Sequence, residues 1–170
     1  MDATQLAALI QTTSAELELL ILPLNVAQMN QPGAVGVWSV KDVLAHIAFW
    51  ERYAADIVRA ARRGDAPQLD VEDLTESRNA SVVAQYYLTS LGAVIASWHA
   101  AREELLDQIA ELSEADLNDP DRFPWSQGRA LLSRIAGNSY AHEREHIEQI
   151  RSWMRSGQIE NRGWRMEDRE

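Results

Sequence analysis

The chain sorts into four long stretches of helical period separated by polar breaks. Over residues Thr4 to Ile21, Leu6, Ile10, Thr13, Leu17 and Leu20 recur in steps of four and three, the spacing of one helix face. Pro23 ends or kinks that helix. A loop follows through Gln31-Pro32-Gly33 and Gly36. A second helix opens at Ser39, which with Asp42 has the S-x-x-D spacing of a capping box, with Trp38 just ahead of it. It is expected to run to Arg63 and stop at Gly64. Its seam reads Val43, His46, Trp50, Tyr53 and Ile57.

The third stretch is expected to span Glu76 to Glu111 as one helix. Its seam is Leu88, Leu91, Ile95, Trp98, Arg102, Leu105, Ile109 and Leu112, with Arg102 reaching solvent along its aliphatic stem. The fourth is expected from Gln127 to Ser156, with Gly157 as its stop. Its seam is Leu132, Ile135, Ser139, His142, His146, Gln149 and Trp153. No stretch carries the alternating pattern of a strand.

Four amphipathic helices predict an all-α, four-helix bundle. The link between helices two and three, Gly64 to Thr75, could cross the full length of a bundle at roughly 3.3 Å per residue. Its length does not require that crossover. A chain of 170 residues suits one domain, expected over 1–157 with a charged tail at 158–170.

Charge narrows the partners. The formal net charge is −10, and Lys41 is the one lysine. Nucleic acid and anionic membrane both call for a basic surface, so neither is expected. The acidic runs Asp65 to Glu76 and Glu103 to Asp121 read as solvated surface. There are no cysteines, which removes disulfides, thiolate ligands and a cysteine nucleophile. The longest apolar run, Leu19 to Leu22, is far short of the roughly 20 residues of a membrane span. The start carries no basic segment of a signal peptide, so a soluble cytoplasmic protein is expected.

The fourth seam has apolar ends and a polar centre. Residues 142–146 read HEREH. Histidines at i and i+4 lie on one helix face, with Cβ atoms roughly 5–6 Å apart, so two imidazoles there have the reach to share one cation. A third ligand has to come from another helix. His46 lies on the inward seam of helix two, and His99 lies at the edge of the third seam. The choice falls on His46, giving a metal set of His46, His142 and His146.

HEREH also matches the zinc-protease pattern H-E-x-x-H. The metzincin continuation would place Gly at 149 and His at 152, where this chain has Gln149 and Ser152. A glutamate ligand could come only from Glu160, Glu167 or Glu170, and no strand is present to hold an extended peptide. Glu143 and Glu145 each sit about 80° from the bisector of the two histidines, at about 100° per residue. Both are expected beside the ligand set or in solvent, whereas Ser139 and Gln149 lie nearer the bisector. Trp50, Trp98, Tyr86 and Tyr140 suit either ordinary core or a pocket wall.

GVWSVKDVLAHIAFWE (36–51) and IAGNSYAHEREHIEQIRSW (135–153) together resemble the DinB/YfiT-like superfamily of four-helix bundles. The likeness is strongest to its ClbS/DfsB-type and maleylpyruvate isomerase N-terminal branches. The resemblance implies a crossover between helices two and three and a divalent metal, zinc or nickel, held by histidines at the positions of His46, His142 and His146. It also implies frequent homodimers and, in some relatives, a low-molecular-weight thiol cosubstrate. The separate C-terminal domain of the mycothiol-dependent isomerases is missing from this sequence.

Two functions follow as expectations. One is a metal-dependent enzyme acting on a small electrophile by thiol transfer or hydrolysis. The other is a non-catalytic protein that binds and sequesters a small molecule or metal.

Overall fold

A computed structural model of the protein describes residues 1–69 and 75–157. Its helices are α1 (Ala3–Ile21), α2 (Val26–Met29), α3 (Val40–Arg63), α4 (Thr75–Tyr86), α5 (Leu91–Ile109), α6 (Glu114–Asn118), α7 (Leu131–Gly137) and α8 (Tyr140–Arg155). A 3-10 turn covers Pro124–Ser126. Among the described residues there is no strand, and Val35 and Trp38 form an isolated bridge in the loop before α3.

Helices α1 and α3 begin and end for local reasons. Asp2 caps α1 in a reciprocal box with Gln5. Ser39 does the same for α3 with Asp42, and Gly64 closes α3 in the left-handed conformation at φ 78°. A side chain with a Cβ is disfavoured there, so glycine suits the stop.

Two expected helices are broken. The third is α4 and α5, separated by the turn at 87–90. Ser90 is extended and accepts from the Ala93 amide, which starts a new helix. Leu88, assigned to the buried seam, is 92% exposed. The lone lysine fastens this turn, since Lys41 Nζ donates to the carbonyls of Tyr87 and Thr89 at 3.1 and 3.2 Å.

The fourth is α7 and α8, divided at Asn138–Ser139. Asn138 Nδ2 donates to Arg134 O at 2.8 Å, and Ser139 Oγ donates to Ile135 O at 2.6 Å. Those carbonyls would otherwise serve the i+4 backbone amides of a continuous helix, and the side chains compete with them. Residues 127–130, expected to be helical, precede α7.

The long helices α1, α3, α5 and α8 form the bundle. Arg52, Arg59 and Arg62 of α3 bond Ser97, Glu104 and Gln108 of α5. The offset of 45 or 46 positions in all three pairs makes α3 and α5 parallel neighbours. Parallel neighbours need a connection that returns along the bundle, so the segment holding α4 is the crossover. One apolar cluster joins Leu17, Val43, Leu44, Ile47, Val94, Trp98, Ile147 and Trp153. A second joins Leu6, Ile10, Ile57, Leu105, Ile109, Leu131 and Ile135. No described helix is long and apolar enough to cross a membrane. The tail at 158–170 lies outside the described residues.

Candidate metal centre

The seam of α3 carries His46 inward, and the first turns of α8 carry His142 and His146. The three imidazoles meet between these helices. His46 Nε2 lies 2.9 Å from His142 Nε2, and His146 Nε2 lies 3.0 Å from the same atom. Candidate ligand atoms of all three lie within 4.8 Å of one another. Two nitrogens bound at right angles, each about 2.1 Å from one ion, would stand about 3.0 Å apart.

Hydrogen bonding alone does not account for this cluster. A neutral imidazole nitrogen carries either one proton or one lone pair. His142 Nε2 therefore makes one such bond, not two. A proton added to a ring is opposed as well. Burial, with His142 and His146 nearby, holds His46 down to about 3 from an ordinary 6.5. Burial and His146 hold His142 down to about 3. Burial also lowers His146, against the pull of its bond to Gln149. Three uncharged donors facing a common point are the chemistry of a site for a divalent cation.

The surroundings orient the rings unequally. His146 Nδ1 lies 2.8 Å from Gln149 Oε1, which favours a proton on Nδ1 and a lone pair on Nε2. Nδ1 of His46 and of His142 are buried with no hydrogen-bond partner among the described residues. Trp38 packs on His46 with ring centroids 4.9 Å apart. Ser139, expected near the site, is fully buried and bonds backbone at the α7–α8 junction. His99 stands apart, half exposed, with Nε2 3.1 Å from Glu18.

The glutamate of HEREH has another partner. Glu143 is fully buried and accepts from Arg102 Nη2 at 2.9 Å. Arg102 also donates to Glu51 Oε1 from Nε at 3.1 Å and from Nη2 at 2.9 Å. Its guanidinium lies 4.8 Å from the Trp98 ring centroid. The expectation that Arg102 reaches solvent is thus overturned, because two carboxylates hold it inside. Glu143 is not in solvent either, while Glu145 is. Burial raises the Glu51 carboxyl to about 7, against Arg102. It raises Glu143 to about 7 in the same way, with Glu51 adding to the rise.

Glu51 escaped the sequence reading. Its signal is a charge at position 51 that shares an inward face with Ala54, Ala55 and Val58, all buried in the structure.

A cavity of about 630 Å³ opens beside the histidines. His46 and His142 line it with Trp50, Tyr53, Ile57, Thr75, Asn79, Arg129, Ser133, Arg134, Gly137 and Asn138. Trp50 Nε1 donates to Asn79 Oδ1 at 3.0 Å, which fixes the orientation of that amide. Of the four aromatic residues named from sequence, Trp50 lines this cavity. Trp98 is buried core, Tyr86 packs against one apolar cluster, and Tyr140 packs against the other.

A helical bundle with a three-histidine cluster between two of its helices defines the class of protein. The family model of the DinB superfamily matches residues 9–150, and the chain belongs to that superfamily. Its fold is similar to that of an uncharacterised protein from Escherichia coli UTI89, at TM-score 0.81 and 13% identity, over 93% of this chain and 95% of that one. It is similar to the structure named Sibling Lethal Factor Precursor - DfsB, at TM-score 0.79 and 19% identity, over 93% and 98%. A protein from Streptococcus pneumoniae follows at TM-score 0.73 and 17% identity, over 91% of each chain. No curated protein matches the sequence.

Proposed function

We propose that His46, His142 and His146 hold a divalent cation, zinc or nickel, and that the chain is a metal-dependent enzyme acting on a small organic electrophile. The convergence of two Nε2 atoms on the third, at 2.9 and 3.0 Å, carries this reading. A cation held there supplies Lewis acidity and draws the pKa of a nucleophilic water or thiol towards neutral pH.

The chain's own residues do the rest. Trp50, Tyr53 and Ile57 give the cavity an apolar wall for the body of a substrate. Asn79, its Oδ1 engaged by Trp50, is left with its amide NH2 as a donor towards a carbonyl or leaving group. Glu143 is withheld from proton transfer at the histidines by its bond to Arg102. The zinc-peptidase reading of HEREH is therefore disfavoured, and thiol transfer or hydrolysis of a small molecule is left.

One observation favours the non-catalytic alternative. Among the described residues no carboxylate lines the cavity, so none of them offers a side-chain general base of that type. A binding or protective role would need none.

Turnover decides between them. Zinc- or nickel-loaded protein is incubated with 1-chloro-2,4-dinitrobenzene and a small thiol, and separately with 4-nitrophenyl acetate. Metal-dependent product formation, lost in His142→Ala, supports the enzyme. Saturable binding with every ligand recovered unchanged supports the protective protein.

A further inference from the structure

We infer that the histidine cavity takes an organic anion, with Arg129 and Arg134 binding its carboxylate and Trp50 packing on its apolar body. This assignment of substrate class rests on the reading of that cavity as the substrate site.

The charge of the cavity opposes that of the molecule. The chain has 26 acidic residues against 16 basic ones. An anion approaching it is repelled in general. Yet among the described residues two arginines and no carboxylate line this cavity.

Among the described residues neither arginine is absorbed by an ion pair. Among the described residues Arg129 is exposed and has no acidic partner within ion-pair distance. Arg134 is half-buried and engages no carboxylate of the described residues. Its Nε donates to Ser126 Oγ at 2.9 Å and its Nη2 to Ser126 O at 3.0 Å. Ser126 is fully buried, and its hydroxyl also donates to the backbone carbonyl of Arg129. One serine thus ties both arginines to the same corner, with Trp125 beneath the Arg134 guanidinium at 5.9 Å.

The arrangement is built and held, but its charge is not neutralised. Burial and the neighbouring Arg129 both act against the positive charge of Arg134. A bound carboxylate would relieve that repulsion and accept from the guanidinium groups in charge-assisted bonds. A purely structural role for Arg134, as a tether for the Pro124–Ser126 turn, explains its two bonds to Ser126. It does not explain Arg129.

The test compares 3-phenylpropionate with 3-phenylpropionamide by calorimetric titration at low ionic strength. The protein is metal-free, so that a bond between carboxylate and cation cannot contribute. The expected result is that the acid binds about tenfold more tightly than the amide. The preference should fall towards unity in Arg129→Gln and in Arg129→Gln/Arg134→Gln. Arg129 is exposed and makes no side-chain bond among the described residues, so its single variant keeps the test valid if the double variant fails to fold. Equal binding of acid and amide by wild type, or an unchanged preference in folded Arg129→Gln, would overturn the inference.

Zinc content after reconstitution is measured on the same preparations. A chain that takes no zinc but keeps the acid preference rejects the metal site and supports the anion site. A chain that takes zinc without the preference does the reverse.

Discussion

Glu143 follows His142 directly in the chain, yet its carboxylate accepts from Arg102 at 2.9 Å while the imidazole before it faces His46. One turn of α8 therefore serves two separate devices: a cluster of neutral imidazoles and a buried Glu51–Arg102–Glu143 ion cluster. The resemblance of HEREH to a protease motif comes from their interleaving.

The first device predicts metal content. Protein expressed without a polyhistidine tag and reconstituted with zinc should hold about one equivalent, by inductively coupled plasma mass spectrometry. His99→Ala should match it, whereas His46→Ala, His142→Ala and His146→Ala should hold little. Loss in His99→Ala, with retention in His46→Ala, would reject the assigned set.

Gln149 should matter without being a ligand. Its bond to His146 Nδ1 at 2.8 Å orients that ring. Removing such an outer partner lowers metal affinity roughly 10–100-fold. Competition of Gln149→Ala with a zinc indicator should show this loss. The thermal midpoint of the metal-free protein should barely move, because residue 149 is exposed.

The second device predicts a large and pH-dependent cost. Arg102→Met leaves two fully buried carboxyls without their counter-charge. Breaking a buried ion cluster this way costs on the order of 3–5 kcal/mol, read by urea unfolding of the metal-free form at pH 7.5. The cost should shrink at pH 5, where both carboxyls take up protons. Replacing all three residues by apolar ones of similar size should cost far less than Arg102→Met alone.

Acid should act on the two devices in opposite directions. His46 and His142 are held at about 3 against an ordinary 6.5. Between those values the unfolded chain binds more protons, so their contribution to stability falls as pH drops from 6.5 to about 3. Glu51 and Glu143 are raised from 4.5 to about 7. Between those values the folded chain binds more protons, so their contribution rises as pH drops from about 7 to 4.5. With His146 lowered as well, metal-free wild type should thus lose stability only gently from pH 6.5 to 4.5 and steeply below. Glu51→Gln should begin its steep loss nearer pH 6.5. An identical pH profile for the two proteins would refute the raised carboxyl.

Much of this was legible in the sequence, for reasons particular residues show. Ser39 and Gly64 bound α3 because a cap and a left-handed stop are local chemistry. His46 was found because a histidine on an apolar seam stands out from its neighbours. The breaks at Ser90 and at Asn138–Ser139 were passed over because the apolar period runs across them. Ser90 and the Gly137-Asn138 pair were nevertheless stop-and-start signals of the ordinary kind. The Glu51–Arg102–Glu143 cluster was hidden for a different reason. Its members lie 51 and 41 positions apart, and no local pattern marks a charge as paired inside a core.

His46 and His142 are separated by 96 positions. During synthesis, a further 96 residues must leave the ribosome after His46 before His142 has emerged. No fragment ending before α8 contains the whole cluster, however well its earlier helices have formed. Tight cation uptake by a growing chain would therefore report the docking of α8, and a nascent protein starved of that helix should compete poorly for the cell's metal.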